Sequence, residues 1–108
     1  MSVCVVPDIS FTQGSTALLL QFAILQEDAS GALVPMPDAA TATVTWLSPN
    51  GQTRVLSAIA PTSAVFGWIT QAREFPSPRT EIGRCRVSTV SGGLFWTQPF
   101  TVQVNPVF

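Results

Sequence analysis

The sequence contains no histidine, no lysine and no tyrosine, and few charges of either sign. Without His, the Ser-His-Asp and Cys-His nucleophile arrangements have no base, and the commonest metal ligand is missing. Charged residues make up 10% of the chain, where about 25% is usual for soluble domains. The five cations are all Arg: Arg54, Arg73, Arg79, Arg84 and Arg86. The acids are Asp8, Glu27, Asp28, Asp38, Glu74 and Glu81, and the formal net charge is -1. This is not the basic footprint of a nucleic-acid binder. No like-charge run marks a membrane-surface patch or an acidic tail. The longest apolar stretch, Ala17 to Leu25, is interrupted by Gln21 and is too short to span a bilayer. The first residues, Met1 to Pro7, have neither the basic start nor the apolar run of a secretory signal peptide.

The remaining chemistry is sparse. Cys4 and Cys85 lie far apart, without CxxC spacing or a His companion, which argues against a metal site. They form either a disulfide between an early and a late strand or two free buried thiols, and the lack of any secretory mark favours the thiols. A glycosidase would need two carboxylates facing one bond. Glu27 and Asp28 are adjacent, so an extended segment points them apart, and they fall in a turn. The acids are too few for a calcium loop. Gly92-Gly93 precedes no Lys and no helix, so it reads as a hairpin turn rather than a phosphate cradle. The expectation is a protein that is not an enzyme and carries no cofactor and no metal.

What the sequence does contain is punctuation. Nine Pro and seven Gly divide its 108 residues into short runs, and alternating apolar residues dominate those runs. A first short strand is expected from Val3 to Val6, stopped by Pro7. Gly14 to Gln26 is the longest strand candidate, with Leu18, Leu20, Phe22 and Ile24 on one face and Ala17, Leu19, Ala23 and Leu25 on the other. A segment apolar on both faces is buried on both or half-covered by a partner; a helix is its rival reading. Glu27 to Asp38 reads as a connection. Thr41, Thr43 and Thr45 then alternate with Ala42, Val44 and Trp46, as in a strand wet on one face. Ser48-Pro49-Asn50-Gly51 is a hairpin turn into a return strand, Thr53 to Ile59. Val65 to Thr70 follows, then an irregular Gln71 to Pro78, where a short helical turn over Gln71 to Phe75 is an alternative. Ile82 to Val90 places Cys85 and Val87 inward and Arg84, Arg86 and Ser88 outward. Ser91-Gly92-Gly93 turns the chain into Leu94 to Thr97 and Phe100 to Val104, separated by Pro99. Seven or eight short strands in one domain, residues 1–108, predict an all-β fold, an immunoglobulin-like antiparallel β-sandwich. The Cys-Trp-Cys spacing of antibody domains is absent, and no Tyr exists for a tyrosine corner.

With 46% apolar residues and little charge, an isolated domain has weak means of repelling its neighbours. Arg is enriched and Lys depleted in the cores of interfaces, so this composition suits a surface covered by other proteins. Drift in a GC-rich genome would account for the missing Lys but not for the shortage of acids. Trp46 and Trp68 fall on core faces. Phe95 and Trp96 are consecutive in a strand, so one of them points outward as an anchor. The loop Arg73-Glu74-Phe75-Pro76-Ser77-Pro78-Arg79 is either a docking loop, with Arg73, Phe75 and Arg79 as its contacts, or a plain connection over a buried Phe75. The end of the chain, with Val107 and Phe108, packs either on a neighbour or on its own sheet.

The order of these pieces resembles a family. The long early strand leads into the turn Glu27-Asp28-Ala29-Ser30-Gly31, and the Ala-Thr-Val strand ends in Ser48-Pro49-Asn50-Gly51. Ala64-Val65-Phe66, Arg84-Cys85-Arg86-Val87, Gly92-Gly93 and Gln98-Pro99-Phe100-Thr101-Val102 follow. From Gly14 to Val104 the chain resembles the immunoglobulin-like N-terminal domain of phage baseplate upper proteins and related small virion modules. The resemblance implies a virion structural protein, docked in several symmetric copies onto tail, baseplate or capsid subunits after assembly in the host cytoplasm. No coiled-coil heptads or fibre follow the domain, so an adaptor or capsid decoration is expected rather than a fibre base. The alternative is a carbohydrate-binding module with an outward Trp as its glycan platform, Trp96 beside Thr97 and Gln98. Neither nucleic acid nor membrane is an expected partner.

Overall fold

Three loops of one design organise the chain. In the computed structural model, which describes residues 4–36 and 42–107, Asp28, Ser48 and Thr89 each open a three-residue hairpin loop. In each, the first N–H donates to the carbonyl four residues on (Ala32, Gln52, Gly93) at 2.9 Å. The glycine three residues on (Gly31, Gly51, Gly92) donates back at 3.1 Å. These glycines sit at φ +87°, +86° and +94°, the left-handed region that completes a type I turn with a bulge. Positive φ is thus confined to the glycine of Asn50-Gly51, a three-residue rather than a two-residue turn.

The strands are β1 (Cys4–Val5), β2 (Ile9–Thr12), β3 (Leu19–Ala23), β4 (Leu25–Glu27), β5 (Leu33–Pro35), β6 (Thr43–Leu47), β7 (Thr53–Ala60), β8 (Val65–Ile69), β9 (Arg79–Ser88), β10 (Leu94–Trp96) and β11 (Phe100–Asn105), with a 3-10 turn at Pro61–Ser63. The hydrogen-bonded order is β2-β11-β9-β6-β7-β8-β3, with β10 also on β9, and a small sheet β1-β4-β5. The protein is all-β, a near-barrel immunoglobulin-like sandwich. One pair departs from the antiparallel expectation: β2 runs parallel to β11.

Two strands change layers. The first half of β7 pairs with β6, Leu56 opposite Val44. The second half pairs with β8, Ser57 opposite Gly67, and a bulge separates Ala58 from Ala60. At the other edge β1 pairs with β4, and the chain turns at Pro7-Asp8 so that β2 joins β11. There the Asp8 carboxylate accepts the Thr101 N–H at 2.9 Å, replacing a ladder bond. Between the layers Phe22 meets Trp46 and Phe100 at ring separations of 5.0 and 5.9 Å. Val44, Cys85, Val87, Val102 and Val104 pack into the same core, with Phe11, Leu20, Ile24, Leu56, Phe66 and Phe75 among its other members.

Several sequence expectations change. The run from Gly14 to Gln26 is not one strand. It begins at Leu19 and breaks at Ile24, whose N–H donates to Ala64 O at 2.9 Å and whose carbonyl accepts from Met36 N at 3.0 Å. Of the face that Leu18 shares with Leu20, Phe22 and Ile24, the last three are buried and Leu18 is exposed. The connection after Glu27 contains β5, and β2 was not expected at all. β9 starts at Arg79, directly after Pro78, and ends at Ser88. Val3, Asp38 and Thr41 lie outside the described residues.

Candidate functional site

From Glu81 onward β9 alternates, and that alternation builds the outer face of the sheet. Glu81, Gly83, Cys85 and Val87 turn inward, while Ile82, Arg84, Arg86 and Ser88 face solvent. β6 lays Leu47 beside Arg84 and Thr45 beside Arg86. On the other flank β10 sets Trp96 opposite Arg86. β10 ends because Thr97 turns in: its N–H donates to Cys85 O at 2.9 Å, and its hydroxyl accepts the Cys85 N–H at 2.8 Å. Pro99 follows before β11 resumes pairing, which leaves a shallow groove of about 260 Å³ lined by Leu47, Pro49, Ile82, Arg84, Trp96 and Pro99. Trp96 is 49% exposed at its rim.

The two aromatic neighbours of β10 therefore differ. Trp96 is the outward one. Phe95 lies opposite the buried Val87, on the inner side, and is 36% exposed at the sheet edge. A second groove, about 290 Å³, opens at the corner where β7 changes layers, among Leu19, Val55, Ile59, Trp68 and Ile69. Gly67 lets two of these side chains close over its backbone: a Cβ there would collide with Ile59 Cδ1 and would meet Leu19 Cδ1 at 2.8 Å.

The loop from Arg73 to Arg79 divides between surface and core. Phe75 is 1% exposed, edge-on to Phe11 at 4.9 Å and stacked on Trp46 at 6.4 Å. As a core residue it has no surface to offer a partner, so its place as a docking contact is withdrawn. Arg79 lies over Phe75 at 5.1 Å and pairs with Glu81 at 3.2 Å. Arg73 is exposed at φ +64°, in a turn closed by Glu74 N–H to Gln71 O at 3.1 Å rather than in a helix. Val107 is exposed, and Phe108 lies outside the described residues.

Behind this loop is a buried ionic cluster that the sequence did not suggest. Arg54, with a side chain 6% exposed, meets Glu74 Oε2 at 2.7 Å and Glu81 Oε1 at 3.4 Å. The Nη1 that meets Glu81 also donates to Ser48 Oγ at 3.1 Å, Nη2 donates to Gln52 Oε1 at 2.9 Å, and the guanidinium covers Trp46 at 4.2 Å. Glu74 also accepts from Trp68 Nε1 at 2.9 Å and Gln71 N at 2.9 Å, and Ser48 donates to Glu81. These partners tie both carboxylates into the structure of the loop end.

Both thiols are free and buried. Burial raises the Cys4 thiol and pushes Cys85 up to about 12, so both are protonated at neutral pH and poor nucleophiles. Among the described residues no group of three or more His, Cys, Asp or Glu could hold a metal ion. Among the described residues no helix is long and apolar enough to cross a membrane.

Neither a scan against protein-family models nor a search of curated proteins found a match. Among solved structures, the fold is similar to CopC from Methylosinus trichosporium OB3b at TM-score 0.52, with 13% identity over 100% of this chain and 97% of that one. Murine CRIg aligns at TM-score 0.43, with 11% identity over 100% of this chain and 99% of that one. At 13% identity the likeness to CopC concerns the fold alone.

Proposed function

We propose that the domain is a non-enzymatic docking module of a phage virion, seated on tail, baseplate or capsid subunits through the outer face around Trp96. The observation that carries the docking reading is the Trp96 groove: a half-exposed indole flanked by Ile82, Leu47, Pro99 and Arg84, in a chain with only 10% charged residues. Tryptophan and arginine over an apolar floor are what binding hot spots are made of. The virion assignment rests on the resemblance of the strand and turn order to baseplate modules. The glycan alternative needs polar groups beside the indole; of its two candidates Thr97 is buried and spends its hydroxyl on Cys85, which leaves the exposed Gln98, while the groove itself is lined largely by Leu47, Pro49, Ile82 and Pro99, a floor that suits a protein.

The test is light scattering of the purified chain across a concentration series, followed by co-sedimentation with purified tail and capsid subunits. Stoichiometric co-sedimentation that W96A abolishes supports the proposal. A chain that ignores both subunits and binds glycan arrays through Trp96 would replace it with the carbohydrate reading.

A further inference from the structure

Resting on that docking reading, we infer that the Trp96 face takes an acidic, extended segment of a different protein, with two carboxylates on alternate residues and an apolar side chain beside them. The distribution of charge carries the inference. Arg54 and Arg79 are engaged by Glu74 and Glu81. Arg84 and Arg86 are exposed and, among the described residues, no carboxylate lies within ion-pair distance of either. The other described acids are elsewhere: Asp8 is at the β1–β2 bend, bonded to Thr101, and Glu27 and Asp28 are on the β4–β5 hairpin. The outward positions of β6, β9, β10 and β11 among the described residues carry two Arg and no acid.

Geometry sets the spacing of the partner. Arg84 and Arg86 share one face of β9, about 7 Å apart along the strand. Alternate residues of an extended segment have the same period, so an acid-x-acid stretch presents one carboxylate to each guanidinium. The groove lies on the Arg84 side, between Trp96, Ile82 and Pro99, so an apolar residue next to the acids seats there. A second copy brought face to face by a twofold axis would set Arg pairs against Arg pairs, which charge repulsion opposes. A nucleic-acid backbone would find two cations on a chain of net charge -1, too few for its usual footprint.

The probe is a blocked synthetic peptide, Thr-Glu-Thr-Glu-Thr-Leu-Thr, with Gln replacing both Glu in its control, followed by amide chemical shifts and calorimetry on the full chain. Shifts confined to β9, β10 and the Ser48–Gly51 loop are expected. Binding of the Glu peptide should be roughly tenfold tighter than that of its control, as two exposed charge pairs within their usual range provide. Raising salt from about 0.05 to about 0.5 M should erase that difference. R84Q/R86Q should equalise the two peptides, and W96A should weaken both; all these sites are exposed, and a melting curve checks that each variant folds. Equal binding of the two peptides to the unaltered face overturns the acidic partner but leaves the docking reading standing. Self-association through the face without peptide binding replaces the partner with a second copy. Subunit co-sedimentation unaffected by either R84Q/R86Q or W96A overturns the assignment of this face altogether.

Discussion

Replacing Arg54 by Met tests whether the buried cluster holds the loop end of the sandwich together. Met retains a flexible stem over Trp46 and removes the guanidinium. Lost with it are the contacts to Glu74 at 2.7 Å, Glu81 at 3.4 Å, Ser48 at 3.1 Å and Gln52 at 2.9 Å. Removing one partner of a buried pair costs about 3–5 kcal/mol, because it leaves uncompensated charge behind. Here the lower end applies. Glu74 keeps Trp68 and Gln71 as donors, Glu81 keeps Arg79 and Ser48, and Glu74 is 12% exposed, within reach of water. The expected loss is about 3 kcal/mol, which for a domain of this size lowers Tm by roughly 12–24 °C. Urea unfolding with an unchanged slope measures it. E74Q alone keeps an acceptor for Trp68 and should cost less, and R54M/E74Q should cost clearly less than the sum of the two. A loss below about 1 kcal/mol for R54M, the range of exposed ion pairs, would refute the claim that this cluster is a buried one.

Other expectations follow from the same geometry. In G83A the new Cβ would meet Trp46 Nε1 at 2.6 Å and Leu47 O at 3.2 Å; Trp46 is fully buried and cannot retreat, so denaturation should show a loss of about 1–3 kcal/mol from overpacking. The thiol of Cys85, raised to about 12 by burial, should resist a thiol reagent in the folded chain at mildly alkaline pH and react once urea unfolds it; fast labelling of the native protein would contradict the burial. Asp28 is lowered from 3.8, first by the Ser30 hydroxyl and then by the Ala32 and Ser30 amides. Because its folded value lies below its unfolded one, its contribution to stability is present above the unfolded value and is lost as pH falls through the folded one. An NMR titration should find the Asp28 midpoint below 3.8, and S30A should move it upward.

The sequence itself determined the fold class and most of the turns. Loops Asp28–Ala32, Ser48–Gln52 and Thr89–Gly93 are local: a short polar residue, then a glycine three places on, dictates each one without help from distant residues. Alternation placed Arg84 and Arg86 outward and Cys85 and Val87 inward, and consecutive Phe95 and Trp96 had to take opposite faces. The parity that turned Arg84 outward also turns Ile82 outward, so part of the Trp96 groove was open to a reader of β9 alone. Tertiary structure decided the rest. β2 alternates over only four residues, Ile-Ser-Phe-Thr, and its partner β11 comes from the far end of the chain; β5 is only three residues long and is held by β4 across the local Asp28–Ala32 loop. Phe75 sits in a loop whose sequence leaves open either a docking contact or a buried ring, and Phe11 and Trp46 decide it by capturing the ring. Arg54 looks like an exposed strand cation, but Glu74 and Glu81 arrive from 20 and 27 residues away to make its burial tolerable. Leu47, Pro49 and Pro99 become one groove only because β6 and the β10–β11 break flank the same stretch of β9. Period and turn chemistry act over a few residues and are written in the chain; pairing, burial and charge compensation depend on which distant segments meet, and only the folded molecule brings them together.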